Sequence, residues 1–194
     1  GARWYDLLGR VVSLGRDRAV RETFMEIAAP APGERVLDVG CGTGTLAIAV
    51  KQRVGAGAVH GIDASPEMIE VAREKAARAG SDVDFRVALI EAIPFPDASF
   101  DLVTSSLMLH HLPDDLKAKG LAEVRRVLRP GGRFVAVDFA AYNHSPLGHL
   151  LSILGRSRGE STVDTLTPML KDAGFSDVEA VPTRHTNFAF IRAR

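Results

Sequence analysis

Between residues 35 and 138, short apolar, β-branched runs alternate with stretches of helical spacing. No other feature constrains the fold of this chain as tightly. The runs 35–39, 58–62, 83–87, 100–105 and 133–138 read as parallel strands. Such strands are covered on both faces by their crossover helices, so their side chains are almost continuously apolar. Helices are predicted between them. Ser65-Pro66 supplies an N-cap followed by proline at the first helical position. Met68, Val71 and Ala72 then share a face, and Gly80 ends the segment. A second helix sets Leu121, Val124 and Leu128 on one face and stops at Pro130-Gly131-Gly132. Strands and helices in this order predict an α/β fold, an open, doubly wound parallel sheet with helices on both faces.

The two ends break the alternation. Residues 3–29 have helical spacing, interrupted near Gly15, and read as a helical cap that lies over a ligand site. A helix over 162–173 leads through Gly174 into two short strands, 177–182 and 187–192, which read as an antiparallel hairpin around a polar turn at 183–186. Residues 139–160 are the least regular part. The 194 residues are expected to form one domain: an N-terminal cap over 1–30, a core over 31–138, a variable segment over 139–160, and a terminal helix and hairpin over 161–194.

Charge and residue counts exclude several classes. Lysine plus arginine equals aspartate plus glutamate at 24 each, so no basic field of the kind that drives non-specific nucleic-acid binding is present, and no nucleic-acid partner is expected. Apolar stretches fall far short of the ~20 residues a membrane span requires, and no signal-like segment opens the chain. A cytoplasmic protein, monomer or homodimer, is expected. One cysteine allows no internal disulfide, and six histidines show no H-E-x-x-H spacing, so no metal is expected.

The loop "VLDVGCGTGT" at 36–45 follows the first strand, where ligands bind in open α/β sheets. Its spacing is Gly40-x-Gly42-x-Gly44, and Thr45 stands where a dinucleotide-binding loop would carry its third glycine. Asp38, just before the loop, repels a pyrophosphate and suits an ammonium. Asp63 ends the second strand about 20 residues on, where a carboxylate accepts both hydroxyls of a ribose; alone it reads equally as a turn or capping acid. Together these features fit a nucleoside that carries an amino acid, S-adenosylmethionine.

"VLDVGCGTG", "GIDASPEM", "IPFPDASFDLV" and "EVRRVLRPGGRFVAVDF" in this order resemble a class I S-adenosylmethionine-dependent methyltransferase. The look is nearest to the ubiquinone/menaquinone-biosynthesis type and its small-molecule relatives. The resemblance implies a Rossmann-like seven-stranded sheet of order 3-2-1-4-5-7-6 with one antiparallel strand. It also implies a cofactor site. Gly40, Gly42 and Gly44 would bring backbone groups to the methionine part, with Asp38, Cys41 and Thr43 in the same loop. Asp63 would hold the ribose, and Ala64 and Met68 would lie near the adenine. Leu89, Ile90 and Glu91 would flank the adenine edge, Ser105 and Ser106 the methionine end, and Tyr5 would close from the N-terminal cap. Relatives commonly carry Asp or Asn at the position of Leu89, and leucine cannot accept the adenine amino hydrogen bond.

Methyl transfer from a sulfonium displaces a good leaving group, so the main task is alignment and exclusion of water. Where the acceptor must lose a proton, His110 and His111 after the fourth strand are the candidate bases, and Tyr142 and His144 are further candidates. Each histidine reads more readily as a surface or supporting residue than as a base. Asp138, ending the fifth strand, reads as an acceptor-binding or capping group. Cys41 reads as a small residue that fits its loop. Arg10, Arg16, Arg18 and Arg21 read as the solvated face of a helix or as a peripheral contact with an anionic membrane. The acceptor region would combine 3–18, 106–112 and 139–160. Leu147, Leu150, Leu151, Ile153 and Leu154 in the last segment point to an apolar or aromatic acceptor, such as a quinone precursor or lipid, or else simply cover the sheet. A non-catalytic or regulatory S-adenosylmethionine-binding protein of the same fold is the alternative. Thr45 and Asp38 disfavour a nicotinamide oxidoreductase.

Overall fold

In the computed structural model, which describes residues 16–142 and 160–194, the strands expected from the apolar runs form one sheet. They are β1 (Val36–Val39), β2 (Val59–Asp63), β3 (Asp84–Val87), β4 (Phe100–Ser106), β5 (Leu128–Phe139), β6 (Val178–Ala180) and β7 (Phe188–Ala193). Their order is β3-β2-β1-β4-β5-β7-β6. β1 to β5 pair in parallel, and β7 runs antiparallel to both β5 and β6. The seven-stranded order with one antiparallel strand is therefore present. A two-residue antiparallel bridge, Ala141–Tyr142 with Glu160–Ser161, lies outside the sheet.

Alternation along the central strands sorts side chains into two layers. Val36, Leu102, Val135, Val137 and Phe190 meet α1 (Arg16–Ala28), α2 (Thr45–Val54) and α3 (Pro66–Arg78) on one face. Leu37, Val39, Val103, Phe134, Ala136 and Ile191 meet α4 (Asp114–Val127) and α5 (Thr162–Asp172) on the other. Both faces are buried, as parallel pairing requires. Arg133 ties α1 to β5. Its guanidinium donates to the carbonyls of Ala28 and Ala29 and makes a paired contact with Glu34 at 2.8 and 2.9 Å.

The helix ends follow their sequence signals. Ser65 Oγ accepts the Met68 N–H at 3.2 Å, and Pro66 opens α3. Beyond its last turn, Gly80 takes φ +61. Gly174, at φ +93, follows α5.

Two expectations fail in detail. β3 is not covered on both faces: Phe85 is buried, while Arg86 and Val87 are exposed. As the edge strand it has no neighbour beyond it, and its outer positions face solvent. Leu128 is not on the helix face. α4 ends at Val127, and Leu128 already pairs with Phe100 in the sheet. The next aligned pair is Leu102 with Arg133, so residues 129–132 bulge out of β5 around Gly131 at φ +79. Pro130-Gly131-Gly132 marks that bulge rather than a helix stop. The N-terminal cap is described only from α1 onward, and most of 139–160 lies outside the described residues.

Candidate functional site

Strand order reverses between β1 and β4: from β1 the sheet is extended by β2 on one side and by β4 on the other. The carboxyl ends of these strands therefore open a crevice at the switch point. The loop after β1 fills its floor. Gly40, Gly42 and Gly44 all take positive φ, at +66, +51 and +77, a region that residues with a Cβ enter at a cost. At Gly44 space is also missing, because a Cβ would lie 2.6 Å from the Phe85 ring. At Gly42 nothing lies within 4 Å of that position, so the loop presents bare backbone to open space there. The Cys41 amide donates to the Ile62 carbonyl and the Gly44 amide to the Cys41 carbonyl, both at 2.9 Å. These bonds hold the loop between β1 and β2.

Asp63, at the end of β2, reaches this loop. Its Oδ2 accepts the Gly42 N–H and its Oδ1 the Ser65 N–H, each at 2.9 Å. One carboxylate thus joins the glycine loop to the start of α3. Ala64 is exposed beside it and Met68 is half-buried on the first turn of α3. The Ala88 N–H donates to the Asp63 carbonyl at 3.0 Å, which brings the end of β3 alongside. Val87 and Leu89 emerge there as the large hydrophobic side chains exposed among the described residues, each 49% accessible. Ile90 is buried and Glu91 half-buried in the single 3-10 turn that follows.

Behind the loop the polar groups face inward. Asp38 is 2% exposed and accepts the Thr104 hydroxyl at 2.7 Å. Burial pushes its pKa up to about 7, against the Thr104 bond, and the nearby Asp63 charge adds to the rise. Asp38 is therefore a buried group beneath α2, on the sheet face that carries Val36, and not an open charge at the crevice. Thr43 is also turned inward. Its hydroxyl accepts Lys75 Nζ at 2.8 Å, and the same ammonium bonds Thr45 Oγ1 at 2.9 Å. Lys75 was not a sequence candidate; on α3, 30 residues beyond Thr45, it left no local pattern to find. Cys41 is buried, and burial with the Asp38 and Asp63 charges pushes its thiol far up, which leaves it un-ionised and inert.

The end of β4 bends sharply into the crevice. Ser106 is half-buried, and Ser105 is 1% exposed with its hydroxyl unpartnered among the described residues. Leu107 follows at φ +55, a conformation rare for a branched side chain and concentrated at functional sites. The turn Leu109–His111 then lies over the end of β5. His110 Nδ1 is 2.6 Å from Asp138 Oδ1, and the His110 backbone N–H donates to Asp138 Oδ2 at 3.0 Å. His110 and Asp138 were separate candidates in the sequence; the pairing of β4 with β5 brings them together. His111 is exposed, its ring 3.8 Å from that of His110. Tyr5 and His144 lie outside the described residues, and of Tyr142 only the backbone is described.

The residues present fit S-adenosylmethionine. A bare backbone at Gly42, a carboxylate at the ribose position and an exposed apolar edge at Val87 and Leu89 meet at one crevice.

Comparison with known proteins agrees. Residues 36–132 match the family model described as a methyltransferase domain. The demethylmenaquinone methyltransferase of Thermus thermophilus is 42% identical over 135 residues, covering 70% of this chain and 60% of that protein. The arsenite methyltransferase of Halobacterium salinarum is 40% identical over 160 residues, covering 80% of this chain and 40% of that protein. Among solved structures, a SAM-dependent methyltransferase from Aquifex aeolicus superposes with a TM-score of 0.73 at 24% identity, covering 89% of this chain and 88% of that one, which shows the fold. This chain spans 55–63% of the length of the first curated relatives it matches. The fold and the matched region are those of a methyltransferase domain with a Rossmann-like sheet. The chain belongs to the methyltransferase domain family, and fold and family imply S-adenosylmethionine as its cofactor.

Proposed function

We propose that this protein transfers a methyl group from S-adenosylmethionine to a small apolar or aromatic acceptor, a quinone precursor or related hydroxyarene. The observation that carries this reading is the glycine loop with its open Gly42 backbone, pinned by the Asp63 carboxylate at the switch point. Bound there, the cofactor supplies an activated methyl group on a sulfonium. Backbone groups of Gly40, Gly42 and Gly44 hold its amino-acid part, with Cys41 and Thr43 shaping the loop and Asp38 balancing the ammonium from beneath. Asp63 takes the ribose hydroxyls. Ala64, Met68, Leu89, Ile90 and Glu91 enclose the adenine, and Ser105 and Ser106 face the reacting end. Tyr5 closes the site from the N-terminal cap. Residues 31–138 act as the cofactor-binding core and 139–160 as the acceptor segment of one domain.

The demethylmenaquinone methyltransferase likeness supports a quinone-type acceptor. An arsenic acceptor is less well supported. Trivalent arsenic is thiophilic, and the chain's single cysteine is buried with an un-ionised thiol. No described helix is long and apolar enough to cross a membrane, so an apolar acceptor would be taken up at a membrane surface or from solution.

Radiolabelled S-adenosylmethionine with a panel of hydroquinones, phenols, amines, thiols and arsenite tests the reading. Label is expected on hydroquinones or phenols. Tight S-adenosylhomocysteine binding with no transfer to any acceptor would instead favour a non-catalytic cofactor-binding protein.

A further inference from the structure

Midway along α4 stands a glycine, after proline the residue least suited to a helix interior. Gly120 is buried, and the space beside it is taken. A Cβ there would lie 2.9 Å from Cγ1 of Ile90 and 3.0 Å from its Cδ1 and Cγ2. Contacts that short force a neighbour to move. The helix thus gives up a side chain, and Ile90, 7% exposed, seats where that side chain would stand.

Two more residues on the same stripe of α4 hold the chain that follows. Glu123 Oε2 accepts the Ile93 N–H at 2.9 Å. Arg126 donates to the Ile93 carbonyl at 3.0 Å and to the Phe95 carbonyl at 2.9 Å. The same guanidinium is paired with Glu123 at 2.7 and 2.8 Å. Residues 120, 123 and 126 are three apart, so they share one face of the helix and grip 90–95 at successive points. At the other end, the Ala88 N–H on the Asp63 carbonyl ties the entry of this segment to β2 at 3.0 Å. Between these ties, the depth of the turn Ile90–Ala92 is set by how closely Ile90 approaches α4.

We infer that Gly120 and Glu123 are positioning residues for the base of the cofactor: by admitting Ile90 and holding Ile93, they set where the turn 90–92 stands at the crevice. This rests on the proposed placement of the adenine at Leu89, Ile90 and Glu91. A side chain at 120 moves the turn off α4 and changes the width of the space left for the base. Both residues act through the turn. Their effect therefore falls on the base and leaves the glycine loop and Asp63, with the amino-acid and ribose contacts proposed for them, as they are.

Calorimetry with S-adenosylhomocysteine and with S-ribosylhomocysteine, which keeps the amino acid and sugar but lacks the base, separates the base from the rest. The wild type should bind the first at least about 10-fold more tightly. Gly120→Ala should weaken S-adenosylhomocysteine at least about 5-fold and S-ribosylhomocysteine less than about 2-fold. In an Ile90→Ala background the three atoms in the way are gone, and the same substitution should change either constant less than about 2-fold. There it should also raise the melting temperature, since alanine is the better helix former. Glu123→Ala should reproduce the base-specific loss. Glu123→Gln, which keeps an acceptor for the Ile93 N–H, should stay within about 3-fold of the wild type. Equal losses for both ligands in Gly120→Ala, or a loss that persists in the Ile90→Ala background, would overturn the inference. An unchanged Gly120→Ala beside a weakened Ile90→Ala would overturn it too, and would leave the adenine placement standing. A wild type that binds both ligands equally, or no loss in any variant, would overturn the adenine placement and the inference with it. If Gly120→Ala does not fold, the two Glu123 variants still decide, and equal losses for both ligands in Glu123→Ala would overturn the inference.

Discussion

Asp63 Oδ2 accepts the amide of Gly42 at 2.9 Å, so the end of the second strand and the loop after the first share a hydrogen bond at the mouth of the crevice. The other oxygen of the same carboxylate accepts the Ser65 amide, also at 2.9 Å. A single side chain therefore sets the loop relative to α3 before any ligand arrives. Hydrogen bonds to a charged group contribute about 1.5–3 kcal/mol each. Asp63→Ala should raise the dissociation constant for S-adenosylhomocysteine by at least about 30-fold, from the lost ribose contact and the loosened loop together. Isothermal titration calorimetry reads this directly, and an unchanged constant would remove Asp63 from the site.

Gly42 and Gly44 separate binding from packing. Gly44→Ala meets both a left-handed backbone and a Cβ position 2.6 Å from the Phe85 ring. Gly42→Ala meets the backbone cost alone, because the space beside it is open. Left-handed strain in a non-glycine residue costs on the order of 1–3 kcal/mol. Gly44→Ala should therefore lower the melting temperature more than Gly42→Ala does. Gly42→Ala should lose more cofactor affinity per degree of melting temperature lost, since its methyl group enters the ligand's space. Thermal unfolding with and without S-adenosylhomocysteine tests both, and the opposite ranking would mean that the crevice lies elsewhere.

Local pattern carried the sheet but not the cross-links. Strand identity, the Ser65-Pro66 helix start and the glycine loop are readable because each depends on neighbours in sequence. The sheet order came from the family resemblance, and the less covered face of β3 carries Asp84 and Arg86, which alternate with buried Phe85. Leu128 misled because its helical spacing from Leu121 and Val124 competes with its pairing to Phe100, a tertiary contact. In the site, Gly42 and Asp63 were legible as separate candidates. Their mutual bond, the grip of Lys75 on Thr43 and the joining of His110 to Asp138 span 21 to 32 residues and depend on strand adjacency. Asp38 was legible as an acid at the loop, whereas its burial beneath α2 was not, because nothing in the sequence marks which face of β1 it takes.

Burial of Asp38 predicts a pH signature. Its folded pKa of about 7 lies above the ordinary value of 3.8. Between these values the folded state holds a proton that the unfolded state has released. The contribution of Asp38 to stability is therefore full below about pH 4 and is lost as pH rises towards about 7. Asp38→Asn keeps an acceptor for the Thr104 hydroxyl and cannot ionise. The stability difference, variant minus wild type, should rise between pH 5 and about pH 7.5, as measured by urea unfolding at each pH. A difference independent of pH would show that Asp38 is ionised throughout, and a ligand with an ammonium group should reduce the wild-type loss by favouring the carboxylate.

Leu89 decides how the adenine end is held. It is 49% exposed at the end of β3, beside the Asp63 carbonyl that accepts the Ala88 amide. Two effects compete there. Leucine offers an apolar edge to the flat base but no acceptor for its amino group, and an amino group buried without a partner costs about 1–3 kcal/mol. Burying part of a leucine side chain against the base returns about 25 cal/mol per Å² of apolar surface removed from water. At 49% exposure only about half of the leucine surface is left to cover, so the apolar gain is partial, whereas the missing bond is lost in full. Leu89→Asp should therefore tighten S-adenosylhomocysteine binding by about 5- to 10-fold, and Leu89→Ala should weaken it slightly. Calorimetry on the three proteins separates the terms. Equal constants for wild type and Leu89→Asp would mean that the adenine amino group is satisfied elsewhere, with the backbone of Ile90 as the nearest alternative.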